Sequence, residues 1–210
     1  IFQGITTEVI GNCGASAAPL TGSYRMPTDW RDMEYPAKWS SVAEYRTLLE
    51  QQNPAPNVLM LTGHSNLRAG VAGYDNRPVT ADELKLMGDL LERSMDEGSR
   101  GVSTGLIYAP GMFANRQELV DLSKRVAARK GIYTSHMRSE TGALLEAIDE
   151  ALAIGRDAGV RVEISHLKTA GKNNWQLVDQ AIGKIRNARE EGQEVAADRY
   201  PYLCGNTELD

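Results

Sequence analysis

Cysteine is scarce in this sequence. Cys13 and Cys204 are its only two in 210 residues and lie far apart, which excludes a small disulfide-stapled scaffold and suits a reducing, cytoplasmic setting. Long apolar runs are missing as well. No stretch reaches the roughly 18 residues that a membrane helix needs, and no basic segment leads into an apolar one as in a secretory leader. Clusters of Lys and Arg are absent, and the net charge is −5, so the chain carries no electrostatic footprint for nucleic acid. Neither an internal repeat nor a low-complexity tract occurs. An initiator Met is lacking: the chain opens on Ile1-Phe2-Gln3-Gly4 and stops at Glu208-Leu209-Asp210, so both ends read as cuts through a larger protein. The remaining composition, 41% apolar and 24% charged, is that of a globular protein. It is enough for one sizeable domain or a large part of a bigger one.

What is present is an alternation of short β-branched runs with long amphipathic ones. Strands are expected at Thr6–Ile10, Val58–Thr62, Gly101–Ser103, Ile132–Ser135, Val160–Ser165 and Glu194–Ala197. Helices are expected over about Val42–Gln52, Thr80–Gly98, Gln117–Lys130, Gly142–Ala158 and Trp175–Glu191, several of them stopped by a glycine. Thr80-Ala81-Asp82-Glu83 has the form of a capping box, in which Thr80 accepts from the Glu83 amide while Glu83 reaches back. The alternation implies a parallel sheet covered by helices. Both an open doubly wound sheet and a β/α barrel satisfy it. The polar residues favour the barrel, because Asn12-Cys13, His64, His136, His166 and Tyr200 each follow a strand end. Barrel sites gather residues from the C-terminal ends of several strands, whereas an open sheet concentrates them at one switch point. About six of eight βα units are then present, and residues 1–210 form the central part of one catalytic barrel domain without its first and last strands. Gly14–Trp39 and Ala69–Pro78, rich in Gly, Pro, Ser and Asn, are expected as loops over the mouth.

There are three histidines, and two sit in matching words: Ser135-His136-Met137-Arg138 and Ser165-His166-Leu167-Lys168. They are 30 residues apart, about one βα repeat, so adjacent strands would set the imidazoles side by side. Largely neutral imidazoles at neutral pH are good zinc ligands, and Cys13 supplies a thiol at the first strand end. The competing reading is plain. A lone strand-end His is more often a hydrogen-bonded structural residue, and a lone Cys a small buried hydrophobe. Spacing alone leaves both readings standing.

The local words go further. Gly11–Leu20 (GNCGASAAPL), Gly63–Arg68 (GHSNLR), Gly101–Gly111 (GVSTGLIYAPG), Tyr133–Glu140 (YTSHMRSE), Ile164–Lys168 (ISHLK) and Asp198–Tyr202 (DRYPY) resemble, in order, segments of the N-acyl-D-amino-acid deacylases, or D-aminoacylases, a branch of the amidohydrolase superfamily. The resemblance implies a (β/α)8 TIM-type barrel hydrolysing the amide bond of N-acyl-D-amino acids, a small-molecule substrate. It implies one tight Zn2+ site held by Cys13, His136 and His166, the thiolate standing where related hydrolases use a carboxylated Lys. It further implies Lys168 and Tyr200 as binders of the substrate carboxylate and Tyr108 as donor to the developing oxyanion. Tyr202 competes with Tyr200 for its role. Arg138 and Glu140 are expected around the ligands as an ion pair orienting His136, and His64 either there or in a structural role. Cys204 is expected to be a bystander.

The chain departs from the family pattern in what it contains. The family's His-x-His pair is expected before Ile1, and its general-base Asp and a substrate-binding Arg beyond residue 210. Asp198 and Asp210 do not stand in for that Asp, and Asn206 stands where the family carries Ser. The segment alone is therefore expected to be inactive, with self-association through unpaired sheet edges. Rival readings are a non-catalytic metal-binding barrel segment, a dihydroorotase- or hydantoinase-like cyclic amide hydrolase, and a metal-free α/β domain.

Overall fold

The computed structural model describes residues 2–205; Asn206 and Asp210 lie outside that range. Strands β1 (Thr7–Ile10), β2 (Asn57–Met60), β3 (Thr62–Gly63), β4 (Gly101–Gly105), β5 (Ile132–His136), β6 (Arg161–Ile164) and β7 (Val195–Ala197) alternate with helices. These are α1 (Thr28–Arg31) and α2 (Val42–Gln52), then α3 (His64–Ala72) and α4 (Ala81–Asp96), then α5 (Arg116–Ala128), α6 (Leu144–Ala158) and α7 (Val178–Glu190). Every pairing is parallel, and the spatial order follows the chain: β1 beside β2, then β3-β4-β5-β6-β7. A doubly wound sheet reverses its order at a switch point. This wall does not, and it has the topology of a barrel wall that is not closed among the described residues.

The expected strand Val58–Thr62 is divided. Its first part pairs with β1, its second with β4, and Leu61 between them donates its N–H to Ile10 O at 2.9 Å. Such a stagger is what a sheet needs when it curls. His64 follows the end of β3 as expected, but helix α3 is a correction to the expected layout, since it runs to Ala72 where Ala69 was expected to begin a loop. It has no side-chain N-cap, and its first turns read as surface: His64, Ser65, Asn66 and Arg68. All four are buried. The last expected helix also starts later, after a 3-10 turn over Lys172–Leu177.

Alternation along the strands separates two faces. Val102, Tyr133, Val162 and Val195 lie in register across β4 to β7 and join the core under α4 to α7, with Leu91, Leu122, Val126, Ile148 and Ile154. Gly155 on α6 brings that helix close; a Cβ there would lie 2.3 Å from Val162 Cγ2. The next row, Ser103, Thr134, Glu163 and Ala196, faces the other way. It holds no large apolar side chain, so the inner wall is polar where the outer face is greasy. Thr80 and Glu83 form the expected capping box at α4, and Ser41 with Glu44 forms a second at α2.

Ile148 is fully buried, so Ile148→Ala should lower unfolding free energy by about 2–5 kcal/mol. Loss of the exposed cap in Thr80→Ala should cost only about 1 kcal/mol. Urea titrations of the two variants measure both, and equal losses would contradict this placement of the core.

Candidate metal centre

His136 closes β5 on the face of Thr134, the inner one, and is buried. His166 lies two residues past β6 on a left-handed backbone, φ 41°, held by its N–H donating to Asp198 Oδ1 at 2.7 Å. Cys13 follows β1 with φ 57°, again in the region that L-residues rarely adopt. Its loop is seated by backbone approach. Gly14 N–H donates to Ser103 Oγ at 3.2 Å, and Ser65 N–H donates to Gly14 O at 2.9 Å. A Cβ on Gly105 would lie 2.1 Å from Cys13 O, and one on Gly63 2.4 Å from Gly14 O, so both neighbours must be glycine. Asn66 completes the seat, accepting from Ser16 N–H and donating to Ser16 O and Pro19 O.

These three loops bring one ligand atom each from Cys13, His136 and His166 within 4.8 Å of one another. Cys13 Sγ is 3.3 Å from His166 Nε2, and the two imidazoles meet edge to face at 4.4 Å between centroids. His136 has no hydrogen-bond partner at either ring nitrogen. Burial pushes its pKa down to about 4, as do the nearby His166 and Lys168, against a pull upward from Glu140, so the ring is neutral. At His166 burial also pushes down. Hydrogen bonds to Cys13 and Glu140 outweigh it and hold the pKa up at about 9. Burial raises Glu140, yet His166 and Lys168 bring its carboxyl down to about 2. Glu140 Oε1 stands 2.8 Å from His166 Nδ1 and accepts from Lys168 Nζ at 2.5 Å, so the carboxylate fixes which way His166 points its other nitrogen. A cleft of 940 Å³ opens beside Cys13, lined also by Tyr108, Ser65, Tyr24, Trp30 and Tyr74.

A buried, neutral imidazole with two idle nitrogens, a thiol and a second imidazole at ligand spacing fit a soft-to-borderline divalent ion. Comparison with known proteins bears on the chain as a whole. The chain is 37% identical over 210 residues to the D-aminoacylase of Alcaligenes xylosoxydans xylosoxydans, covering 100% of the chain and 43% of that protein. It superposes with a TM-score of 0.88 on the N-acyl-D-glutamate deacylase of Bordetella bronchiseptica, solved with zinc and a phosphonate mimic of the tetrahedral intermediate, at 40% identity over 95% of this chain and 42% of that one. A D-aminoacylase structure said to define a novel subset of amidohydrolases matches at TM-score 0.89 and 36% identity, over 97% of this chain and 43% of that one. Over its whole length the chain is similar to D-aminoacylases. It spans less than half the length of these relatives. No protein-family model matches it.

Within this D-aminoacylase-like wall the other expected residues fall unevenly. Tyr108 lies against His136, ring centroids 4.9 Å apart. Lys168 sits beside the site with its Nζ 5.5 Å over the Tyr200 ring, while Tyr202 is 62% exposed. The expected Arg138–Glu140 pair is not formed. Arg138 instead pairs with Glu150 on α6 at 3.0 Å, because it leaves the strand on the helix side while Glu140 turns in to Lys168 and His166. His64 takes the structural one of its two expected places. Its Nε2 meets Glu118 on α5 at 2.8 Å, and Arg68 reaches the second Glu118 oxygen at 2.8 Å, away from the ligands. Burial pushes Glu118 upward, but His64 and Arg68 outweigh that and hold the carboxyl below its usual range. Cys204 is free and exposed. Asp198, set aside in the sequence as no substitute for a base, anchors His166; its only signal was a position just past the last strand. Gly105 and Asn66 were inside quoted words but carried no assigned role.

Gly105→Ala should displace Cys13 from the two imidazoles. Its expected effects are a loss of at least about 1 kcal/mol of stability and faster reaction of the Cys13 thiol with a thiol reagent in the metal-free protein. An unchanged thiol rate would show that the close approach does not set the loop.

Proposed function

We propose that this chain carries the metal site of a hydrolase that cleaves N-acyl-D-amino acids into a carboxylate and a free D-amino acid. The observation that carries the reading is the convergence of Cys13 Sγ, His136 and His166 within 4.8 Å, in a chain 37% identical to a D-aminoacylase. Zinc suits the donor set, since a thiolate and two imidazoles are common zinc ligands, and a relative was solved with zinc. When bound, the ion supplies Lewis acidity toward the scissile carbonyl and water of lowered pKa, near about 7.

The chain's own residues do the rest. Cys13 binds as thiolate, and His136 needs to give up no proton, being neutral already. Glu140 holds His166 Nδ1 and so aims Nε2 at the site, as carboxylates behind histidine ligands do. Lys168 stands at the mouth, poised for the substrate carboxylate with the Tyr200 side chain beside it. Tyr108, beside His136 on the cleft, donates to the oxygen on which charge develops. The 940 Å³ cleft has room for a small acyl-amino acid. No helix among the described residues is long and apolar enough to cross a membrane, and two free cysteines suit a reducing compartment such as the cytoplasm.

Metal analysis comes first. The purified protein should hold about one zinc per chain at this site, lost from a Cys13→Ser, His136→Ala double variant; a well-folded wild type without metal would sink the ligand assignment. Amine release is then followed across matched N-acetyl-D- and N-acetyl-L-amino acids, using the full-length protein. Turnover confined to D-substrates is the expected result, and turnover of L-substrates alone would reject the stereochemical reading.

A further inference from the structure

Tyr108 stands on a loop with little regular structure of its own. Between the end of β4 and the start of α5 the chain makes one 3-10 turn, Gly111–Phe113. Tyr108 N–H reaches Gly105 O at 3.3 Å, and Tyr108 O accepts from Met112 N–H at 2.8 Å. Two arginines add a hold on this segment from outside it, one from α3 and one from the chain after β5.

Arg68 comes from α3 and is 1% exposed. Its Nε donates to Pro110 O at 3.1 Å, two residues from Tyr108, while Nη1 holds Glu118 Oε2 at 2.8 Å and Nη2 holds Arg77 O. Glu118 is itself fixed, since His64 takes its other oxygen and its N–H is capped by Asn115 Oδ1. Arg138 comes from the segment after β5. Its Nη1 donates to Met112 O and its Nη2 to Ala114 O, both at 3.0 Å, and Nε and Nη2 clasp Glu150 on α6. Three loop carbonyls, of Pro110, Met112 and Ala114, are thus taken by two guanidiniums, each locked by a helix carboxylate.

Stability alone is a poor reason for the buried member. Replacing a buried ion pair with apolar side chains of similar volume is often neutral or stabilising, whereas a planar guanidinium fork dictates geometry. We propose that Arg68 and Arg138, anchored on Glu118 and Glu150, are positioning residues that fix the Tyr108 loop against the metal centre. The inference rests on Tyr108 acting as the oxyanion donor. A displacement of about 1 Å in such a donor is enough for a loss on the order of a hundredfold in rate.

The test uses the full-length, zinc-loaded protein and the N-acetyl-D-amino acid it turns over fastest. Arg138 is partly exposed, so Arg138→Met should fold; Arg68→Met is the more severe variant and Arg138→Lys the conservative one. Arg138→Met should lower kcat about tenfold or more with KM within about twofold, zinc content unchanged, and Arg138→Lys should recover only part. In a Tyr108→Phe background Arg138→Met should cost less than about twofold further, because the two act as one unit. Equal losses in both backgrounds would overturn the proposal. If Tyr108→Phe keeps wild-type kcat while Arg138→Met does not, the oxyanion role of Tyr108 fails and the proposal falls with it. Hydrogen exchange is independent of turnover. The Tyr108, Met112 and Phe113 amides should exchange about tenfold faster in Arg138→Met, with the α6 amides unchanged; unaltered loop exchange refutes the clamp whatever the kinetics show.

Discussion

Backbone contact between the Cys13–Gly14 loop and the ends of β3 and β4 is the constraint on which the site depends. Cys13 O and Gly14 O approach Gly105 and Gly63 so closely that a Cβ at either glycine would overlap them. Without that approach the thiol would stand on the first strand's own loop, out of reach of the imidazoles at the ends of β5 and β6. The contact is backed by paired polar groups, Gly14 with Ser103 and Ser65, Ser16 with Asn66. Each of these would cost free energy if left unpaired in the interior, so the loop is held by hydrogen bonding as well as by shape. Left-handed backbone at Cys13 and at His166 is tolerated only because the surroundings over-determine it.

Electrostatics then gives the two histidines different characters. They touch at 4.4 Å between centroids, yet His136 is driven toward neutrality by burial while His166 is drawn toward the protonated form by Cys13 and Glu140. The neighbouring positive charge of Lys168 reinforces the first and is balanced at the second by Glu140. A thiol and a carboxylate beside a neutral imidazole are an attractive setting for a divalent cation. The same Glu140 contacts both His166 Nδ1 and Lys168 Nζ, so the imidazole and the ammonium group share one carboxylate.

Much of the fold was legible because its signals are local. Gly98, Gly131, Gly159 and Gly192 stop helices, Thr80 and Glu83 start one, and the apolar runs mark strands within a residue or two. Helix α3 was not legible: Gly63 offers no cap, and His64, Ser65, Asn66 and Arg68 look like solvent-facing residues. They are buried because each finds a partner on another element, Asn66 on the Cys13 loop and Arg68 with His64 on Glu118. The Arg138–Glu140 expectation failed for a related reason. Strand alternation would put residues 138 and 140 on one side, but the chain has already left β5 and carries Arg138 toward α6 and Glu140 toward His166 and Lys168.

By itself the sequence determined the alternating parallel architecture, the three ligand-type side chains at strand ends, and the family that the words resemble. Period, capping and turn chemistry act over a few residues, and each is written in the residues concerned. Only the tertiary structure decided that Cys13 meets His166 across 153 positions of chain, that Glu140 serves His166 while Arg138 serves a loop, and that Asp198 anchors a ligand. Those partnerships depend on how far neighbouring strands are staggered and which glycines let backbones touch. Such distances are set by the packed wall as a whole, and no local pattern of residues encodes them.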